Sequence, residues 1–240
     1  LKHLILEVTH ACPLRCDYCF VAHHYPEMQK SMTFDTAQLA IDRLYAHWDK
    51  KERVNIGFFG GEPLLCVPLM QQVVEYAKQK FNGLVGFGMT TKACLLTKES
   101  AAFVAGNFNS CIVSMDGPPT QHDFHRKYAN GKGTFADVLR GITLLNDANF
   151  NSITLRGTFL PDRIRLVDSV SFLNSLAQQG MARNVSVEPA NLSETACIDS
   201  SQHFGSVHRE VLTKEYDEVV DWMVREYGQG RKPLFHNINV

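Results

Sequence analysis

Cys12, Cys16 and Cys19 lie in the string Cys-Pro-Leu-Arg-Cys-Asp-Tyr-Cys, and no other spacing in this chain is as well suited to chemistry. A [4Fe–4S] cube that only carries electrons is normally held by four thiolates. The C-x3-C-x2-C triplet supplies three, so one iron is left to bind something that reacts. Zinc is the competing reading, because structural zinc takes four Cys or His ligands. His10, His23 or His24 stands close enough in sequence to be the fourth. The remaining cysteines, Cys66, Cys94, Cys111 and Cys197, are scattered and make an odd total of seven. That usage fits a reducing compartment and small buried apolar side chains, not a disulfide framework.

The triplet follows a short apolar run, which places it on the loop leaving the C-terminal end of a strand. Apolar runs predict strands at 4–8, 54–59, 84–90, 110–115, 153–159 and 184–188. Helical periodicity predicts helices near 34–49, 68–80, 98–105, 135–148, 164–179 and 209–227. Thr33 and Thr36 mark a polar start before the first of them, and Asp162 and Asp168 bracket another start. Six strands, each followed by a helix, make a βα repeat with parallel strands. A closed barrel of eight units needs about 250 residues. The expected fold is therefore α/β, a partial, open (β/α)6 barrel. The long irregular stretches 118–134 and 189–208 both follow strands and fall on the expected active-site rim.

Composition bounds the function. The chain has 240 residues, 45% of them hydrophobic, and a formal net charge of −1. No basic run suggests a nucleic-acid groove or an anionic membrane surface. No stretch approaches the roughly 20 apolar residues of a membrane span, and no secretory signal is visible. With the cysteine usage, this predicts a cytoplasmic protein.

Four groups of residues stand at expected strand ends. Gly60-Gly61-Glu62-Pro63 follows the second strand; adjacent glycines let a backbone approach a ligand closely and expose its amides and carbonyls. The same four residues also make a tight turn with Glu62 solvated. Thr90-Thr91-Lys92-Ala93 follows the third strand, with Lys92 read as exposed or as meeting a carboxylate. Ser114-Met115-Asp116-Gly117-Pro118 ends the fourth and leads into His122, Asp123, His125 and Arg126. Asp-Gly-Pro forms turns on its own account. The two histidines read as surface or packing residues in a short helical turn, ahead of a general base. Arg156 and Glu188 are inward polar groups on the last two strands, either facing a polar ligand or bridging the strands.

In this order the motifs resemble the radical S-adenosylmethionine (radical SAM) enzymes. The Ser114-to-Phe135 stretch, with Gly131-Lys132-Gly133, resembles the branch that carries a C-terminal SPASM or twitch domain. Lys92-Ala93 departs from it, standing where that branch commonly has Asn-Gly. The resemblance implies a [4Fe–4S] cluster on Cys12, Cys16 and Cys19, whose open iron chelates the amino and carboxylate groups of SAM. An electron then cleaves SAM to a 5′-deoxyadenosyl radical that removes a hydrogen atom from the substrate. It implies SAM contacts from Tyr18, Gly60, Gly61, Glu62, Pro63, Thr91, Ser114, Asp116, Arg126, Arg156 and Glu188. Residues 1–227 would be the radical SAM core and 228–240 a tail leading toward a SPASM- or twitch-type domain. Implied partners are a peptide or protein substrate and a low-potential, flavodoxin- or ferredoxin-like electron donor. The expected reaction is peptide maturation, such as a thioether or carbon–carbon crosslink. Sulfatase maturation, glycyl-radical activation and a non-catalytic zinc or iron–sulfur module are the alternatives. Residues 228–240 contain no Asp or Glu, which weighs against sulfatase maturation.

Overall fold

The computed structural model describes residues 1–19, 30–160, 165–190 and 208–235. His23, His24, Asp162, Cys197 and most of the 189–208 stretch lie outside them. The strands are β1 (His3–Thr9), β2 (Val54–Gly60), β3 (Val85–Thr91), β4 (Ser110–Ser114), β5 (Ile153–Phe159) and β6 (Asn184–Pro189). The helices are α1 (Phe34–Ala46), α2 (Val67–Lys80), α3 (Lys98–Asn107), α4 (Pro119–His125), α5 (Phe135–Asp147), α6 (Leu166–Gln178) and α7 (Arg209–Gly228). A 3-10 turn, Pro63–Cys66, precedes α2.

All neighbouring strands pair in parallel, in the order β1-β2-β3-β4-β5-β6. A doubly wound sheet reverses its strand order at a switch point. Here the order never reverses, so successive crossovers of one hand keep the helices on one side. The sheet stays open between β1 and β6, which is the predicted (β/α)6 partial barrel. Every strand then ends on the same rim.

Alternation along the strands separates the two faces. Val54, Ile56 and Phe58 of β2, Ile153, Leu155 and Phe159 of β5, and Cys111 and Val113 of β4 are buried toward the helices. They meet apolar helix faces such as Ala37, Ile41 and Leu44 of α1, or Val138, Ile142 and Leu145 of α5. Each such Leu, Ile or Phe contributes about 1.5–3 kcal/mol of burial. The opposite row is mostly small or polar, with Gly57, Gly88, Thr90, Ser114, Thr154, Arg156, Thr158, Ser186 and Glu188, and has Ile5, Phe59 and Ile112 as its apolar members. Register aligns it, with Gly57 beside Gly88, Ser114 beside Arg156, and Thr158 beside Glu188. Small residues on that row leave room inside the curled sheet.

Helix starts follow their caps. Thr33 Oγ1 accepts from Thr36 N–H at 3.3 Å, and Thr97 with Ser100 forms a reciprocal capping box for α3. Asp168 sits in the first turn of α6. The 118–134 stretch is less irregular than its composition suggests, since α4 occupies seven of its residues.

Candidate functional site

The loop after β1 carries the three cysteines, and it is fixed from two sides. On one, Gly61 N–H donates to Thr9 O at 2.7 Å and Glu62 N–H to Ala11 O at 2.9 Å. On the other, Arg15 N–H donates to Lys127 O at 2.7 Å and Asp17 N–H to His125 O at 3.3 Å. Within the loop, the Arg15 guanidinium donates to the carbonyls of Cys12 and Leu14, each at 2.8 Å. Cys19 N–H closes a turn on Cys16 O at 3.0 Å.

Cys16 is buried and Cys12 and Cys19 are half-buried. Burial pushes the Cys12 thiol above its ordinary value and the Cys16 thiol up to about 12. Thiols so placed ionise when a cation arrives, and a metal supplies that charge as it binds. Among the described residues no three His, Cys, Asp or Glu side chains converge as ligands of a single ion. A cube puts each thiolate on a different iron, so its ligands need not converge on one point. His10, a candidate fourth zinc ligand, lies 3.4 Å from Glu7. Three thiolates on one loop are the donor set that a cube with one open iron takes.

The paired glycines have a structural cause. A Cβ at Gly60 would stand 2.2 Å from Thr9 O, and one at Gly61 would stand 2.2 Å from Ala11 O. Gly60 also has a φ of 126°, open to glycine alone. Their bareness admits the cysteine loop itself.

The solvated-Glu62 reading is corrected: the carboxylate is fully buried. It accepts from Leu64 N–H at 3.0 Å, Thr91 Oγ1–H at 2.7 Å and Lys92 N–H at 2.7 Å. Glu62 thus caps the 3-10 turn that Pro63 opens, and it joins β2 to β3. Thr91 is likewise buried and also accepts from Ala93 N–H at 2.9 Å.

A second buried knot centres on Asp116. Its Oδ1 lies 2.9 Å from Arg126 Nε and accepts from Thr158 N–H at 3.0 Å, while Oδ2 accepts from the Tyr18 hydroxyl. The Arg126 guanidinium lies over the Tyr18 ring, 5.3 Å from its centroid. Burial opposes the Arg126 charge, but the Asp116 carboxylate, together with Tyr18 and Cys16, outweighs it and raises the pKa. Tyr18 is held far above the usual phenol range by burial. Both His122 and His125 are buried packing residues, not surface ones. His122 Nδ1 accepts from Asp116 N–H at 3.3 Å and Nε2 contacts Thr134 Oγ1 at 3.0 Å.

A cavity of about 250 Å³ opens at the strand ends. It brings together Cys16, Tyr18, Cys19, Gly60, Gly61, Ser114, Arg126, Arg156 and Glu188 of the residues singled out in sequence. Cys12, Glu62, Pro63, Thr91 and Asp116 are not on its wall; the last four support it from behind. Arg156 and Glu188 form the inter-strand bridge foreseen as one alternative, a 2.9 Å ion pair across β5 and β6, and both line the cavity. Among the described residues Arg156 Nε is buried with no hydrogen-bond partner, an N–H suited to a polar ligand. Phe59, Thr90, Thr158 and Ala190 also line the cavity and are not among the contacts that the resemblance implies. The first three alternate with the helix-facing row, a signal the strand pattern contained. Lys92 is corrected as well: half-buried on the cavity wall, its Nζ donates to Gly61 O.

Among the described residues no helix is long and apolar enough to cross a membrane. The Radical SAM superfamily model matches residues 6–165. The serine-type anaerobic sulfatase-maturating enzyme of Bacteroides thetaiotaomicron is 30% identical over 147 residues, covering 59% of this chain and 36% of that protein. A GTP 3',8-cyclase of Xanthomonas axonopodis pv. citri is 27% identical over 160 residues, covering 65% of this chain and 46% of that protein. The chain thus spans less than half the length of either. Native anSMEcpe with bound AdoMet shares the fold at a TM-score of 0.80 and 18% identity, covering 98% of this chain and 63% of that one. The same protein with AdoMet and the Cp18Cys peptide gives a TM-score of 0.77.

Proposed function

The chain belongs to the radical SAM superfamily, and we propose that it cleaves SAM to modify a side chain of a peptide or protein. The observation that carries this is a cavity that joins two of the three motif cysteines to the ends of β2, β3, β4, β5 and β6. Cys12, Cys16 and Cys19 would hold the [4Fe–4S] cluster. Bound there and reduced, the cluster supplies the electron that cleaves SAM to the 5′-deoxyadenosyl radical. An aliphatic C–H bond offers no proton that a base could remove near neutral pH, so a radical suits it. The chain's own contribution is to bind, orient and exclude water.

In this reading the Gly60–Gly61 carbonyls face the SAM ammonium. Ser114, Thr158 and the free Arg156 N–H offer polar contacts to the ribose and adenine. Phe59, Pro189 and Ala190 supply the apolar wall. Tyr18, Asp116 and Arg126 fix the third cysteine's turn against β4 and β5. A peptide substrate is supported by the maturase-like stretch from Ser114 to Phe135 and by the related fold that holds AdoMet with a peptide. The electron would come from a flavodoxin- or ferredoxin-like donor. Sulfatase maturation is the second reading, supported by the 30% identical relative.

Anaerobic reconstitution tests the proposal. The expected product is a brown protein with about four irons per chain, bleached by dithionite. It should release 5′-deoxyadenosine from SAM, and Cys16→Ala should abolish that release. Stoichiometric zinc with no iron uptake would sink the proposal. Conversion of a sulfatase-derived Ser or Cys peptide, read by mass spectrometry, would select the second reading.

A further inference from the structure

We propose that Lys92 binds the carboxylate of SAM, an inference that rests on the SAM-cleaving function above. Three cations line the cavity. Arg126 is held by Asp116 at 2.9 Å and Arg156 by Glu188 at 2.9 Å. Lys92 is the one for which, among the described residues, no carboxylate stands within ion-pair distance of the ammonium.

Its backbone is firmly rooted. Lys92 N–H donates to Glu62 Oε2 at 2.7 Å, and the next residue, Ala93, turns the chain at a φ of 58°. Its side chain reaches into the cavity, where Nζ donates to Gly61 O. An ammonium has three N–H donors, so two remain for an incoming anion. The position is also right: Gly61 packs against Ala11, the residue before Cys12. The amino-acid end of SAM must lie beside the cluster loop, and its single carboxylate is the anion that arrives there. Gly61 O and Lys92 Nζ then form one subsite of two signs, the carbonyl for the ammonium of SAM and the lysine for its carboxylate.

The test uses cluster-loaded protein and anaerobic equilibrium dialysis with two probes, SAM and decarboxylated SAM. Iron content is matched first, and Lys92→Gln replaces Lys92→Met if the latter loads less iron. Lys92→Met is expected to lose about tenfold or more in SAM affinity, as for a charge-assisted hydrogen bond. Affinity for decarboxylated SAM should hardly change, and Lys92→Arg should recover part of the loss. Equal losses for both probes would overturn the inference. So would SAM affinity that is unchanged, or one that rises because the lysine was blocking Gly61 O. If the wild type loads iron yet binds neither probe, the function proposed above fails instead.

Discussion

The Asp116 carboxylate meets groups from three parts of the chain: it accepts from the Tyr18 hydroxyl and the Thr158 backbone N–H and forms an ion pair with the Arg126 guanidinium. Neither Asp116 nor Arg126 reaches water appreciably. Breaking a buried pair by removing one partner costs about 3–5 kcal/mol, because the other charge is left uncompensated. Asp116→Asn keeps the size and loses the charge opposite Arg126. It should therefore lower the unfolding free energy by several kcal/mol in a denaturant titration. Tyr18→Phe, which removes one hydroxyl, should cost about 1 kcal/mol. Equal, small effects from both would show that Asp116 acts as an ordinary hydrogen-bond acceptor and not as the counter-charge. Sequence marked all three residues but could not assign their roles. The Tyr18–Asp116 contact spans 98 positions, and the Asp-Gly-Pro turn gave Asp116 a sufficient local explanation.

At the scale of elements, the β2 exit and the cysteine loop are built as one unit. The two segments share backbone hydrogen bonds, and the contact is close enough to exclude any Cβ at Gly61, where Ala11 O and His10 O would stand at 2.2 and 2.6 Å. Gly61→Ala must push the cysteine loop outward. Overpacking of this kind costs about 1–3 kcal/mol, and here the strain falls on the residues before Cys12. The expected outcome is a lower iron content after reconstitution together with a lower denaturation midpoint. Full iron loading in Gly61→Ala would show that the loop adjusts independently of β2. What sequence revealed at this scale was local: period-2 strands, capped helices and the order of the six βα units. What it hid was contact between segments remote in the chain. A solvated Glu62 stayed open as an alternative because two of its three donors, Thr91 and Lys92, lie about thirty positions on. Lys92 read as exposed because lysine usually is, and only the curl of the sheet turns the end of β3 inward.

For the whole molecule, an open sheet without strand reversal leaves every strand end on one rim, and there the β4–α5 connection packs against the cysteine loop and puts Arg126 on the cavity wall. That connection contains a titratable group the fold keeps neutral. Burial holds His122 down to about 4, with Arg126 acting in the same direction and Asp116 and Asp123 opposing. Its hydrogen bonds agree. Nδ1 accepts from Asp116 N–H, so the proton sits on Nε2 and faces Thr134 Oγ1, which donates onward to Arg126 O at 2.9 Å. A second proton would set an N–H against the Asp116 N–H. In the unfolded chain His122 titrates near its ordinary value of about 6.5. Between about 6.5 and 4 the unfolded state therefore binds a proton that the folded state refuses. Stability from this group is fully present above that window and falls with pH through it, by up to about 1.4 kcal/mol per unit. Asp42, Asp49, Glu99 and Glu226, each lowered below its ordinary value, act mainly at lower pH. His122→Asn preserves an acceptor for the Asp116 N–H and removes the titration. Its unfolding free energy should be lower than that of the wild type at pH 7, and the two curves should converge as pH approaches 4. Parallel curves across the window would mean that His122 takes up its proton without opening the β4–α5 connection.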